Sequence, residues 1–293
     1  MAYSDSDARY ALINSKSEDI LPPIFEGLEL IVNGVYKFKL NGKYGLVDSK
    51  GNILLQNLYE GIGKFEDNLA CVSIIDTFNN YKLYGYIDSS GKEILPTVFE
   101  FIGKRHDKYS VIMSNGVWEL FNVDNHNRTR VPKASYVGPL QNGLFKINIG
   151  GDYLEQGKVE GGSWGYINQN GEVVIEPIYE YAYNFSEGLA AVKQNGKYGF
   201  IDKDGNTIVP FEFDEVESSF EDGQAKLVKE DLVYVFNKAG EQIDSHMKSS
   251  DNDYFDYDDD GPSYSKYGGY NGWDDNTIDE AFDGNPELTW NID

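Results

Sequence analysis

The 293-residue chain holds one cysteine and three histidines, and its 25 lysines and arginines are outnumbered by 49 aspartates and glutamates. A single Cys71 excludes a disulfide framework, which suits a reducing compartment. It sits in the apolar run Leu69-Ala70-Cys71-Val72 and reads as a small buried hydrophobe, not a reactive thiol. The histidines His106, His126 and His246 fall outside any metal-ligand spacing and read as surface or turn residues. Gly-x-Ser-x-Gly, His-Glu-x-x-His and a Walker-type phosphate loop are all missing. A net charge of −24 argues against nucleic acid and anionic membranes, whose phosphates demand clustered Lys and Arg. No apolar run approaches the ~20 residues of a membrane span, and no basic region followed by an apolar stretch opens the chain. The expected location is cytoplasmic, with no cofactor.

What the chain has instead is a period. The phrase Tyr198-Gly199-Phe200-Ile201-Asp202-Lys203-Asp204-Gly205 has close copies beginning at Tyr44, Tyr84 and Trp164. Worn copies begin at Tyr10, Trp118 and Val233, and successive starts are 34, 40, 34, 46, 34 and 35 residues apart. A unit of about 34 residues with two insertions marks a repeat architecture. Repetition multiplies surface more readily than it assembles one catalytic cluster.

Each unit reads as β structure. Leu189 to Lys193 is short and apolar, and Asn195-Gly196 follows as a type I′ hairpin turn. In the next strand Tyr198 and Phe200 alternate with Gly199 and Ile201. Asp202-Lys203-Asp204-Gly205 makes a second turn, and the strand Thr207-Ile208-Val209 is expected to stop at Pro210. Connections carry an aromatic–acidic pair such as Tyr179-Glu180 or Phe213-Asp214, then Phe185 with Gly188 or Phe220 with Gly223. The expected fold is all-β: three-stranded antiparallel meanders stacked as six or seven small blades of a β-propeller-like ring, or as an open solenoid. The signature glycine is expected to let a strand or ring lie close; where it is replaced, at Glu119 and Tyr234, a looser or more exposed unit is expected.

The pattern Trp/Tyr-Gly-aromatic-Ile-Asp-x-x-Gly, preceded by Asn-Gly-Lys and followed by Ile-x-Pro, resembles the bacterial WG repeat family. Trp164-Gly165 is the namesake dipeptide, and Tyr44-Gly45, Tyr84-Gly85 and Tyr198-Gly199 are Tyr variants, so the resemblance spans approximately residues 10 to 245. It implies a β-propeller-like repeat module without catalytic residues of its own, used to bind partners.

Composition changes near residue 245, dividing the chain into a repeat domain (1–245), an acidic linker expected to be disordered (246–272) and a short aromatic segment (273–293). Residues 246–293 hold 13 acidic residues against two lysines, a net charge of −11. Asp256 to Gly261 matches the opening of a calcium loop, but Tyr267 stands where a bidentate Glu is needed, so no metal site is expected. Beyond it, Asp275 or Asn276 caps a helical turn that Gly284 stops, with Ile278 and Phe282 on one face. Trp273, Ile278, Phe282, Leu288 and Trp290 have no core of their own; they either fold back on the repeats or form a docking peptide for a protein partner. This stretch loosely resembles a short C-terminal segment of otherwise unrelated bacterial proteins.

Three function classes follow. A non-enzymatic protein-interaction scaffold, with the terminal segment as a tethered second contact, leads. A carbohydrate-binding module is the first alternative and needs the signature rings Tyr44, Tyr84, Trp164 and Tyr198 exposed, whereas they are expected to be buried. A hydrolase with an acidic site in a propeller channel is the second, although acids such as Glu212 and Asp214 follow the repeat and read as backbone partners.

Overall fold

The computed structural model describes residues 9–32, 34–154 and 158–248. Every regular element among them is a strand, from β1 (Tyr10–Ile13) to β26 (Gln242–Met247). By compactness the described chain divides into two units, residues 9–102 and 103–248.

In the first unit β1 pairs with β2 (Asp19–Phe25). Two four-stranded antiparallel sheets follow, β3 (Gly27–Val32) to β6 (Ile53–Tyr59) and β7 (Gly61–Ile62) to β10 (Glu93–Phe99), and β11 (Phe101–Ile102) ends the unit. In the second unit β12 (Tyr109–Ser114), β13 (Val117–Asn122) and β14 (Arg128–Val131) pair in sequence order. Three more four-stranded sheets follow: β15 (Ala134–Gln141) to β18 (Val173–Tyr179); β19 (Tyr181–Ala182), β20 (Leu189–Gln194), β21 (Lys197–Asp202) and β22 (Thr207–Phe213); and β23 (Glu215–Glu221), β24 (Gln224–Lys229), β25 (Leu232–Asn237) and β26.

The meander therefore has four strands where three were expected. The additional strand is the connection itself. In the β19–β20 connection Ser186 and Leu189 exchange both backbone hydrogen bonds across Glu187 and Gly188, whose φ values are 50° and 90°. That is a third tight turn of the same left-handed kind as Asn195-Gly196 (φ 52° and 77°). It folds the aromatic–acidic connection back as a short first strand. The repeat domain also runs slightly past residue 245, because β26 ends at Met247.

A second correction concerns proline. Pro210 does not end the third strand; β22 runs through it from Thr207 to Phe213, as β10 runs through Pro96 and β18 through Pro177. In each of these sheets the strand bulges at the proline. Between the pairs Tyr198↔Phe213 and Phe200↔Val209, two steps on β21 face four on β22. The same shift separates Tyr44↔Tyr59 from Leu46↔Leu55, Tyr84↔Phe99 from Tyr86↔Leu95, and Trp164↔Tyr179 from Tyr166↔Ile175. An edge strand with a bulge tolerates a residue that lacks an N–H.

The bulge explains the signature glycine. A Cβ at Gly45, Gly85, Gly165 or Gly199 would lie 2.5–2.6 Å from the carbonyl oxygen of Leu55, Leu95, Ile175 or Val209 on the bulged strand. No positive φ is involved; the space alone is taken. Where the glycine is replaced the wide bulge is gone: Trp118↔Val131 to Phe121↔Arg128 step one for one, and so do Tyr234↔Ser245 to Val235↔Asp244, with a smaller shift only at Phe236↔Gln242. The Trp118 unit is not loose, contrary to expectation: Trp118 is 2% exposed and Glu119 pairs with Arg128 across the straight ladder. The Tyr234 unit is the more exposed one expected, its outer strand β26 being exposed throughout. The first copy keeps the bulge with Ala11, the smallest side chain that has a Cβ.

Successive sheets within a unit bury each other's faces. Trp164, Tyr166, Ile175 and Tyr179 pack against Ala182, Phe185, Ala190 and Val192 of the next sheet. One sheet on, Phe200, Val209 and Phe213 pack against Phe220, Leu227 and Phe236. The equivalent edge-on contacts Tyr166–Phe185 and Phe200–Phe220 have ring centroids 4.7 and 4.8 Å apart. Thus the periodic apolar pattern is satisfied between neighbours, which is why one meander alone would not hold.

Candidate functional site

The signature aromatic occupies a fixed place in a row of paired residues crossing each regular sheet. In β3–β6 the row is Gly27–Lys39–Tyr44–Tyr59, and in β7–β10 it is Gly61–Ser73–Tyr84–Phe99. In β15–β18 it is Tyr136–Asn148–Trp164–Tyr179, and in β19–β22 it is Tyr181–Lys193–Tyr198–Phe213. The third and fourth members stay aromatic, while the first is Gly or Tyr and the second Lys, Ser or Asn. Such a frame varies contacts without altering the fold.

Two of these rows meet in the second unit. The Trp164 ring packs 5.8 Å from the Tyr181 ring, Tyr181 lies 5.2 Å from Tyr183, and Tyr183 lies 6.2 Å from Tyr198. Lys146, two residues from Asn148 on β16 (Leu144–Tyr153) and so on the same face, lays its ammonium 4.9 Å from the Trp164 centroid and 5.7 Å from that of Tyr181. Lys193 places its own 5.2 Å from Tyr198. Among the described residues neither ammonium has a carboxylate oxygen within 4.0 Å. In a chain of net charge −24 these cations lie against ring faces, as Lys39 does 5.2 Å from Tyr44 in the first unit; what sets Lys146 and Lys193 apart is that their rings adjoin one another. Burial pushes the Lys146 amine down to about 8, while the two ring faces favour its charged form, so it is an ammonium at neutral pH. Burial also raises Tyr198, with the neighbouring Tyr181, Glu180 and Glu215 adding to the effect, and pushes Tyr183 up to about 12.

The chemistry on offer is a cation backed by aromatic faces, half open to solvent. Trp164 is 6% exposed and Tyr181 40%. Asn184, beside Tyr183, carries a buried side-chain oxygen with no hydrogen-bond donor among the described residues. The expected burial of the signature rings holds for Trp164, whereas Tyr44, Tyr84 and Tyr198 are half-buried. A sugar stacking on Trp164 would need an indole that is only 6% exposed and lies under the Lys146 ammonium.

The acids of the connections serve the backbone, as the repeat suggested. Glu26 accepts from the amides of Asn41 and Gly42, Glu180 from that of Gly196, and Asp214 from that of Glu230 while pairing with Lys197. Each acid thus caps the central hairpin turn of the sheet that follows. Glu212 pairs with Lys229. In the second turns Asp48 accepts from the amides of Lys50 and Asn52, and Asp202 from those of Asp204 and Asn206. The side chain of Asn52, then those backbone amides, hold Asp48 below the usual carboxylate range. For Asp202 burial works upward, but hydrogen bonds from Asn206, Asp204 and Gly205 outweigh it. Carboxyls pushed down are poor general acids at neutral pH.

The three histidines lie at the surface or in turns, as expected. Burial pushes the Cys71 thiol up to about 12, the mark of an inert cysteine. His126 lies in a turn stacked on Phe121, His106 in a tight turn, and His246 on the exposed strand β26. Among the described residues no group of His, Cys, Asp and Glu is arranged to hold a metal ion, and no helix is long and apolar enough to cross a membrane. The calcium-loop half-motif and Trp273, Ile278, Phe282, Leu288 and Trp290 lie outside the described residues. Sequence reading missed Lys146 and Lys193, because neither belongs to the signature; only strand register brings them beside its rings.

No curated protein matches the chain. Among solved structures it is similar to the β-propeller domain of the Trilobed protease from Pyrococcus furiosus, at 16% identity over 71% of this chain and 79% of that one, TM-score 0.35. It is also similar to the Neurospora crassa Pan2 WD40 domain, at 11% identity over 69% and 71%, TM-score 0.34, and to Kluyveromyces lactis Hsv2, at 12% over 70% of each chain, TM-score 0.32. The family model of the WG containing repeat matches residues 10–44, 44–74, 84–118, 164–198 and 198–231. Each matched stretch begins on a signature aromatic and runs toward the next, covering the last two strands of one sheet and the first two of the sheet that follows; the chain belongs to the WG containing repeat family.

Proposed function

We propose that this protein is a non-enzymatic interaction scaffold, in which the repeats hold one contact for acidic protein segments and residues 273–293 supply a tethered second contact. The observation that carries this reading is the pair Lys146 and Lys193, set against Trp164, Tyr181 and Tyr198 with no carboxylate oxygen within 4.0 Å among the described residues. Around it, the constant frame with varied row residues favours recognition over chemistry. Exposed aliphatics recur just before the aromatic that ends the outer strand: Ile24 (46%), Leu58 (68%), Val98 (49%) and Ile178 (57%). Scattered apolar residues are ordinary on a surface, but four at one repeat position form a pattern that a protein partner can use.

Residues 249–272 separate the last described strand from Trp273, so the terminal segment stays at high effective concentration near the repeats and both contacts can act on one partner. Affinity capture from the source cells tests the reading, using the full chain, a chain ending at residue 272, a Trp273→Ala/Trp290→Ala chain and a Lys193→Gln chain. The expected result is loss of a common set of captured proteins in all three variants. Capture unchanged by truncation removes the role of the terminal segment; capture unchanged by Lys193→Gln removes the role of the row.

A further inference from the structure

We infer that the chain's own acidic segment, residues 251–260 (Asp-Asn-Asp-Tyr-Phe-Asp-Tyr-Asp-Asp-Asp), occupies the Lys146–Lys193 aromatic row and competes there with acidic segments of other proteins. The inference rests on the reading of that row as a contact for acidic segments, and it adds the occupant and a regulatory consequence.

Two observations support it. The first is complementarity. Residues 251–260 hold six carboxylates and three aromatic rings, and the row offers two ammonium groups that have no carboxylate partner among the described residues, beside the rings of Trp164, Tyr181, Tyr183 and Tyr198. The carboxylates already near Tyr198 are engaged: Glu180 accepts from the Gly196 amide, and Glu215 pairs with Lys248. Room for a further anion therefore lies at the lysines.

The second observation is where the segment starts. Met247 pairs with Leu232, and the amide of Lys248 donates to the carbonyl of Asp231 in the β24–β25 turn, 2.8 Å away. Asp214 ties that turn to the neighbouring β20–β21 turn, accepting from the Glu230 amide at 2.9 Å and pairing with Lys197. Lys193↔Tyr198 is the second residue pair in from that same turn, after Gln194↔Lys197. The described chain thus ends on the sheet adjoining the row and at the same end of it. Adjacent packed sheets are about 10 Å apart. An extended chain advances about 3.4 Å per residue, so Tyr254 to Tyr257 reach roughly 20–30 Å from Lys248. The span is short enough for an intramolecular contact.

The test uses the full chain and one probe, a synthetic peptide of residues 251–260. Its affinity is measured for the unaltered chain and for a chain in which Asp251, Asp253, Asp256, Asp258, Asp259 and Asp260 are all changed to Asn. A tethered competitor at millimolar effective concentration masks its site, so the peptide is expected to bind the Asn chain about tenfold more tightly than the unaltered one. In the Asn background Lys193→Gln and Lys146→Met are each expected to weaken binding. Lys193 is half-buried, so its variant keeps the test valid if Lys146→Met fails to fold. Equal affinity for the unaltered and Asn chains, with loss on Lys193→Gln, overturns self-occupancy while leaving the acidic-segment contact standing. No binding to the Asn chain, or binding indifferent to both lysines, overturns both. A unaltered chain that sediments as a dimer, with an Asn chain that sediments as a monomer, replaces the intramolecular occupant by a second copy and also overturns the inference.

Discussion

At Gly45, Gly85, Gly165 and Gly199 a missing Cβ decides the path of a whole strand. The outer strand bulges inward and sets a carbonyl oxygen 2.5–2.6 Å from where that atom would be. Gly199→Val therefore forces backbone aside, and an overpacked core site of this kind costs about 1–3 kcal/mol; the urea midpoint of the variant reads it. Tyr234→Gly meets no wide bulge, so it brings no compensating gain and lowers the midpoint through lost packing. A second prediction at this scale concerns the turns. Asn168 and Asn237 accept the same pair of amides that Asp48, Asp88 and Asp202 accept. The three aspartates titrate below 3.8 in the folded chain. Their contribution is therefore complete above the unfolded value of 3.8 and is lost as pH falls through the lower folded values. Urea unfolding followed from pH 5 to 2 should show stability falling, and the Asp48→Asn/Asp88→Asn/Asp202→Asn chain should fall less while keeping its geometry. An unchanged slope would mean that these caps do not carry the acid sensitivity.

Strands and turns show which parts of the unit a sequence reveals. The alternation of Tyr198 and Phe200, the Asn-Gly turns and the Asp-x-x-Gly turns were all legible, because each rests on a local conformational preference. The first strand was not: Tyr181–Ala182 is too short for a periodicity, and Glu187-Gly188 carries no standard turn dipeptide. Proline misled for a physical reason. Pro210 forbids a ladder bond, which reads as an end, yet on an edge strand the missing N–H is tolerated and the strand bulges through it. Lys146 was illegible because its meaning depends on which rings two sheets place beside it. The lesson for the row is testable by contrast within one element pair. Trp164→Ala empties a buried site and should cost about 3–5 kcal/mol. Tyr181→Ala, 40% exposed, should stay within about 1 kcal/mol yet weaken binding of the acidic peptide in the Asn background. A Tyr181→Ala chain that keeps full peptide affinity would show that the ring is packing alone.

For the molecule as a whole, charge sets the terms. A chain of net charge −24 repels acidic partners at long range, and salt screens that repulsion along with the local attraction, over about 8–10 Å at ordinary ionic strength. Contact with an acidic segment must therefore be short-range, at lysines freed of their own counter-ions, and should weaken as salt rises. The most direct measurement is amide hydrogen exchange of the Asn-tailed full chain with and without the 251–260 peptide. The account predicts added protection confined to β16, the Tyr166 side of β17 (Val159–Ile167), and the strands from Tyr181 to Asp202. Protection elsewhere on the repeats, or none at saturating peptide, would contradict it.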